Sequence, residues 1–243
     1  DLGFATGSTP TDRIYRCRPL LVYPSLFHFN ILKTRKASCQ HNTRRSRNLN
    51  YYRDHLTEEY GKLNPLKKLP IIDDDGFILR ESVGILRYLC REKNVADHWY
   101  PKDSKQQAKV DEYLEWQHLD TRLNCGMFFR EKYLMPFFGQ TPDNKLINMF
   151  EERMKTTLHL IEDVWLKDSP YLIGNKITIA DLLGVCEVEQ PRMAGYDPRT
   201  EYPKIAAWIE RVRQDLSPHY DEVNKVLEKI AQKAKFALRE TET

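Results

Sequence analysis

Residues 66–85 read "LKKLPIIDDDGFILRESVGI" and carry a Glu81-Ser82 pair at the mouth of a helix. A helix start has backbone N–H groups without intrahelical partners and the positive end of the helix dipole, so it can hold a carboxylate. Ser82 can add a hydroxyl donor, and Glu81 an acceptor for an amine. The same two residues also suit an ordinary capped helix, and residue types alone leave both readings open. Pro70 follows Leu69 at the head of the strand before it. Most X-Pro bonds are trans, and a Pro here then marks an edge-strand start.

The other chemistry-bearing residues are more dispersed. Five Cys stand at 17, 39, 90, 125 and 186. The number is odd and the spacings wide, which fits reduced, mostly buried thiols better than a disulfide framework. Cys17, His28, Cys39 and His41 lie near one another in sequence, but no C-x₂-C pair frames them as a zinc site. No metal is expected.

The elements that must position Glu81 and Ser82 are legible on either side of them. "HLTEEYGKLNP" reads as a short helix ending before Pro65. "LPII" and "FILR" are short apolar strands around "DDDG", and Asp75-Gly76 is a tight-hairpin signal. "ESVGILRYLCREK" sets apolar residues at 83, 85, 86, 89 and 90, one face of a helix. "NLNYY", at 48–52, reads as a short strand.

After a Pro-bearing linker at 98–103 the pattern is helical throughout. Val110, Tyr113, Leu114, Gln117, Thr121 and Cys125 share one side. Ile147, Phe150, Met154, Leu158, Ile161 and Trp165 share another, and two or three further helices follow. "GNKITIADLLGVCEVE" contains a helix-initiation device. Thr178 is a good N-cap, Asp181 can return a hydrogen bond to it, and Ile177 and Leu182 can clamp the entry. The expected organisation is an atypical basic segment at 1–47, an α/β portion at 48–97, the linker, an all-α domain at 104–235 and a tail at 236–243.

Composition narrows the class. Hydrophobic residues make up 41% and charged residues 30% of 243, an ordinary soluble composition. No run of about 18 apolar residues exists, so no membrane span is expected. A net charge of +3 is too small to suggest a nucleic-acid partner. The first 50 residues hold nine Lys/Arg and two Asp/Glu, so the remainder carries −4 of that +3. This basic, acid-poor stretch has the character of a transit peptide, while its apolar Leu20–Phe29 equally suits a strand and short helix. The chain begins at Asp1, which reads as a fragment or a processed chain.

Taken together, "NPLKKLPII", the Asp-Gly hairpin, "ESVGILRYL", "ADHWYPKDSKQQAKVDEYLEWQH", "GNKITIADLL" and "EQPRMAGYDP…YPKIAAWIERV" resemble the glutathione S-transferases. "VDEYLEWQH" and the "WYP" linker look like the theta class, in the manner of an arthropod member. The resemblance runs from about residue 48 to 232. It implies an α/β thioredoxin-like N-terminal domain that binds glutathione, incomplete or divergent here, and a helical C-terminal domain that binds the electrophile. It further implies a cytoplasmic detoxifying homodimer with glutathione as co-substrate. The reaction would be conjugation of small electrophiles, with reduction of organic hydroperoxides as a further activity.

The resemblance also assigns roles. Ser82 would donate to the γ-glutamyl carboxylate and Glu81 accept from the γ-glutamyl amine. A cis Leu69–Pro70 bond would turn the Leu69 backbone toward the cysteinyl part, to pair with it like an added strand. Lys68 and His55 would contact the glycine carboxylate. Trp116 and Arg122, near Gln117 and His118 on the first helix of the second domain, would line the electrophile pocket.

One part of the pattern breaks. The theta-like enzymes activate the thiol with a Ser after the first strand, in a segment resembling Leu-Leu-Ser-Gln-Pro-Ser-Arg. Here only Ser25, after "LLVY", stands near that position, and no Arg follows it two or three residues later. Three arrangements meet this break: a divergent first strand and helix using Ser25, an N-terminus carrying sequence foreign to the coding frame, or a catalytically impaired binding or interaction module.

Overall fold

The computed structural model describes residues 54–241. Ser25, the strand readings before residue 54 and the Cys17, His28, Cys39 and His41 group lie outside them. A 3-10 turn at Asp54–Leu56 leads into α1 (Glu58–Leu63). Thr57 starts α1 by accepting from the Tyr60 N–H at 3.2 Å. The helix stops at Asn64 because Pro65 disfavours helical backbone in the residue before it.

β1 (Ile71–Asp74) and β2 (Phe77–Arg80) pair antiparallel, Ile71 opposite Arg80 and Asp74 opposite Phe77. Asp75 and Gly76 turn the chain with φ of 52° and 89°, the left-handed backbone that a two-residue hairpin needs. The three acids, which the sequence places between the strands "LPII" and "FILR", are not all turn residues. Asp73 and Asp74 belong to β1. Asp73 Oδ1 accepts from the Gly76 N–H at 2.8 Å. Asp74 takes the Tyr88 hydroxyl at 2.6 Å and Lys93 Nζ at 2.8 Å, tying the hairpin to the next helix. Those bonds, Lys93 first and then Tyr88, hold the Asp74 carboxyl below its ordinary 3.8.

α2 (Ser82–Glu92) buries Val83, Ile85, Leu86 and Leu89, the face expected from their spacing. A 3-10 turn at Asp97–Trp99 precedes α3 (Ser104–Trp116). After a turn at 117–120, a π turn at Thr121–Cys125, α4 (Gly126–Phe129), a second π turn at Arg130–Leu134 and the short Met135–Phe137 run into one another. α5 (Asn144–Leu160) ends in another π turn at Ile161–Trp165. α6 (Ile179–Val188), α7 (Pro203–Asp215) and α8 (His219–Thr241) complete the helical part.

α6 is buried at every position, so it is the central helix of this part. Its capping box forms as the sequence suggests: Thr178 Oγ1 accepts from the Ala180 N–H, and Asp181 Oδ2 accepts from the Thr178 N–H at 2.8 Å. Asp181 does more than cap. Its other oxygen accepts from the Leu172 N–H at 2.8 Å and Trp208 Nε1 at 2.9 Å, joining three segments inside the core. At Gly184 a Cβ would stand 2.6 Å from the Tyr113 hydroxyl, so α3 and α6 can approach this closely only over a glycine.

One continuous apolar core runs from Ile72 and Leu86 through Tyr113, Met154 and Leu183 to Trp208. The hairpin–helix unit and the helical part therefore share their interior. Polar bonds reinforce the junction. Arg87 donates to Asp111 at 2.9 Å and to Glu115 at 3.0 Å, and Tyr100 donates to Asp111 at 3.0 Å. The architecture is the expected one: a thioredoxin-like unit, represented among the described residues by one two-stranded sheet, followed by an all-helical domain. Cys125 and Cys186 are buried free thiols, and Cys90 is a half-buried one.

Candidate functional site

Where β2 hands over to α2, the chain borders a cleft of about 220 Å³. Its walls are the loop from Asn64 to Pro70, the Arg80-Glu81-Ser82 corner, and Arg122 from the helical domain. Thus Lys68, Leu69, Pro70, Glu81, Ser82 and Arg122, six residues singled out from sequence, meet at one place.

The loop wall is built by polar bonds around a single carbonyl, that of Lys68. The Tyr60 hydroxyl and Asn64 Nδ2 both donate to the Lys68 carbonyl oxygen, at 2.8 and 2.6 Å. Asn64 Oδ1 in turn accepts from the Leu66 N–H at 3.1 Å and from Arg80 Nε at 2.9 Å. Arg80 Nη2 closes the set on the Leu63 carbonyl at 2.8 Å. Asn64 is nearly inaccessible, and such a satisfied network fixes the backbone around it. The Leu69–Pro70 bond that follows is cis. Lys68 itself is exposed at the rim.

The floor is the start of α2. Glu81 has φ 66° and ψ 123°, a conformation that costs a non-glycine residue on the order of 1–3 kcal/mol. It occupies the N-cap position but makes no capping bond with its side chain, so the exposed carboxylate is available to the cleft. Ser82 is buried, and its hydroxyl oxygen accepts from Arg122 Nη2 at 2.8 Å.

Arg122 sits on the π turn after α3, where its N–H bonds five residues back to the Gln117 carbonyl at 2.9 Å. Such turns bulge a helix and recur at functional sites. Behind Arg122 stands Glu187 on α6, whose Oε1 accepts from Arg122 Nε at 3.1 Å. Glu187 is fully buried, and burial pushes its carboxyl up to about 8 against the opposing pull of Arg122. His118, half-buried, is held below its ordinary 6.5, first by burial and then by Arg122, so it is mainly neutral at pH 7.

Two expected residues stand apart from the cleft walls. His55 is half-buried on the first 3-10 turn. Trp116 packs its ring 5.7 Å from Tyr113 and 5.2 Å from Trp165, in a three-ring cluster. Three residues that the sequence reading did not single out prove central: Asn64, Arg80 and Glu187. Asn64 is the C-cap of a helix just before a Pro, where it looks like punctuation. Glu187 does leave a signal, since an acid within the apolar "GVCEVE" must find a partner when its helix is buried. Among the described residues no cluster of His, Cys, Asp and Glu suits a metal, and no helix is long and apolar enough to cross a membrane.

Comparison with known sequences bears directly on this cleft. The sequence model of the glutathione S-transferase N-terminal domain matches residues 45–97, and that of the C-terminal domain matches residues 129–215. Glutathione S-transferase theta-1 of Mus musculus is 36% identical over 180 residues, 73% of this chain and 75% of the mouse protein. The chain belongs to the glutathione S-transferases. Theta-class proteins are among its relatives: theta-1 of Bos taurus is 40% identical over 159 residues, 65% of this chain and 66%, just under two thirds, of the bovine one. Human glutathione transferase theta-2, solved in complex with glutathione and an unknown ligand, superposes with a TM-score of 0.70 at 34% identity, covering 74% of each chain. All the cleft residues of this glutathione S-transferase fall inside the N-terminal match except Arg122, which lies between the two matched spans.

Proposed function

We propose that this glutathione S-transferase binds glutathione in the Lys68–Ser82 cleft and transfers its thiolate to electrophilic small molecules. The observation that carries the reading is the floor of the cleft. A buried serine, an uncommitted glutamate and an arginine converge at the start of a helix, which suits an α-amino acid group with one carboxylate and one amine. In this reading the Ser82 hydroxyl and the free N–H groups of α2 hold the γ-glutamyl carboxylate, and Glu81 accepts from the γ-glutamyl amine. The Leu69 backbone pairs with the cysteinyl residue, and Lys68 and His55 receive the glycine carboxylate. Trp116 belongs to the electrophile side, and Arg122, expected there too, also reaches the glutathione floor through its bond to Ser82.

The chemistry then needs a thiolate. The sulfur pair attacks the electrophilic carbon, the leaving group departs with the bonding pair, and the thiol proton goes to solvent. A donor to sulfur lowers the thiol pKa toward neutrality and raises the reactive fraction. Ser25 is assigned that role, and a cytoplasmic homodimer completes the reading. Retention on immobilised glutathione, followed by conjugation of a benzyl halide with and without Ser25→Ala, tests it. Retention with turnover that Ser25→Ala abolishes is expected. An unchanged rate in that variant removes Ser25 from the mechanism, and binding without any turnover by the parent chain overturns the transferase reading.

A further inference from the structure

We infer that Glu187 is a positioning residue of this cleft, holding the Arg122 guanidinium so that Ser82 presents its hydroxyl hydrogen to the bound ligand. The inference rests on the glutathione reading of the cleft. A serine hydroxyl has one hydrogen to donate and two lone pairs to accept with. Arg122 Nη2, at 2.8 Å, occupies the acceptor side of Ser82. The single hydrogen is then left for the cleft, where an incoming carboxylate would take it. Arg122 can do this only if its fork is fixed, because an arginine has many rotamers and its side chain here is 29% exposed. Glu187 supplies the fixing bond through Oε1 to Nε at 3.1 Å, from a helix separated from Arg122 by 65 residues of sequence.

A packing role does not account for this acid. Glu187 is fully buried in the central helix, and its Oε2 has no hydrogen-bond partner among the described residues. Burying a carboxylate against one half-exposed partner costs more than an apolar side chain of the same size, which would fill the space as well. Burial raises its proton affinity accordingly. What an apolar residue cannot do is orient Arg122. The three groups form a line from the helical core to the glutathione floor: Glu187, Arg122, Ser82.

Titration calorimetry with glutathione and steady-state conjugation of a benzyl halide, with thermal unfolding in parallel, test the inference in Glu187→Leu and Glu187→Gln. Leu removes the acceptor, and Gln keeps an oxygen for Arg122 Nε. Glu187→Leu should raise Kd and KM for glutathione about tenfold with kcat at saturation within threefold, and Glu187→Gln should return both to within threefold of the parent. Binding within twofold in Glu187→Leu overturns the inference, as does a loss that Gln does not rescue. Should Glu187→Leu not fold, Arg122→Lys reads the same link, because a point-like ammonium lacks the rigid fork whose Nε and Nη2 hold the two oxygens in fixed directions; about tenfold weaker binding is expected, and binding within twofold refutes it. A parent chain that does not bind glutathione overturns the functional reading itself, before any variant is compared.

Discussion

Ser82→Ala is the sharpest single perturbation of the cleft, because the proposed function adds a second, separable role to the bond that Ser82 makes with Arg122. Only 2% of it is exposed, and its oxygen takes the Arg122 hydrogen bond at 2.8 Å. Deleting the hydroxyl removes a donor to a carboxylate, and hydrogen bonds to charged groups contribute about 1.5–3 kcal/mol. At about 1.4 kcal/mol per decade, this predicts a tenfold to hundredfold loss of glutathione affinity. The lower end is expected, since Arg122 Nη2 is released beside the cleft and can approach the ligand itself. The stability cost should be smaller. Arg122 is partly exposed and water can replace the lost acceptor, so about 1 kcal/mol and a Tm fall of about 2–4 °C are expected. Calorimetry with glutathione gives Kd, and conjugation at saturating glutathione gives kcat, which should stay within threefold. A Tm fall with Kd within twofold of the parent would show that Ser82 is structural only and refute the reasoning.

Two further outcomes follow from the packing and the charges. Gly184→Ala adds a methyl 2.6 Å from the Tyr113 hydroxyl and 2.9 Å from Leu172 Cδ1, in an interior where neither can swing away. Overpacking of about 1–3 kcal/mol outweighs the roughly 1 kcal/mol of helix propensity gained, so Tm should fall, and a rise in the melting curve would contradict the close approach. Asp74→Asn should destabilise by about 1 kcal/mol at neutral pH, because the carboxylate serves both Lys93 and Tyr88. The folded carboxyl lies below its unfolded 3.8, so its contribution is present above that value and is lost as pH falls through the folded pKa. Urea midpoints of parent and variant should therefore differ steadily above about pH 5 and converge below about pH 4, and a gap that persists in acid would exclude the ion pair as its source.

Local signals carried most of the fold. The Asp75-Gly76 turn was legible because left-handed backbone at two adjacent positions admits few residue types. The Thr178–Asp181 box was legible because both partners lie within one helical turn. What local spacing did not reveal is that Asp181 also binds Leu172 and Trp208, or that Asp74 reaches Lys93. A short polar residue reads as a cap or a turn from its neighbours, and its tertiary bonds depend on which segment the fold brings past it. The three π turns were equally silent, since one added residue per turn leaves the apolar spacing nearly intact.

The cleft divides along the same line. Residues 68–70 and 81–82 flank the open end of one hairpin, so their spacing is a nearly rigid consequence of β1, the turn and β2, and the sequence exposes them together. The bonds that hold the loop wall also stay within this hairpin and the helix before it, yet Asn64 hides because a residue before Pro looks like a stop. Arg122 and Glu187 come from two helices that meet only when the core closes. Neither has a helix-capping or turn signature, and each as a single residue resembles a solvated or ion-paired side chain. Their joint meaning appears only with Ser82 at the end of the line. An acid inside an apolar helix is nevertheless a physical clue before any coordinates exist: a buried charge needs a partner, and a partner that also reaches a cleft transmits that need to the ligand. Reading Glu187 by that rule would have led from α6 to Arg122, and from Arg122 to Ser82 on the floor of the cleft.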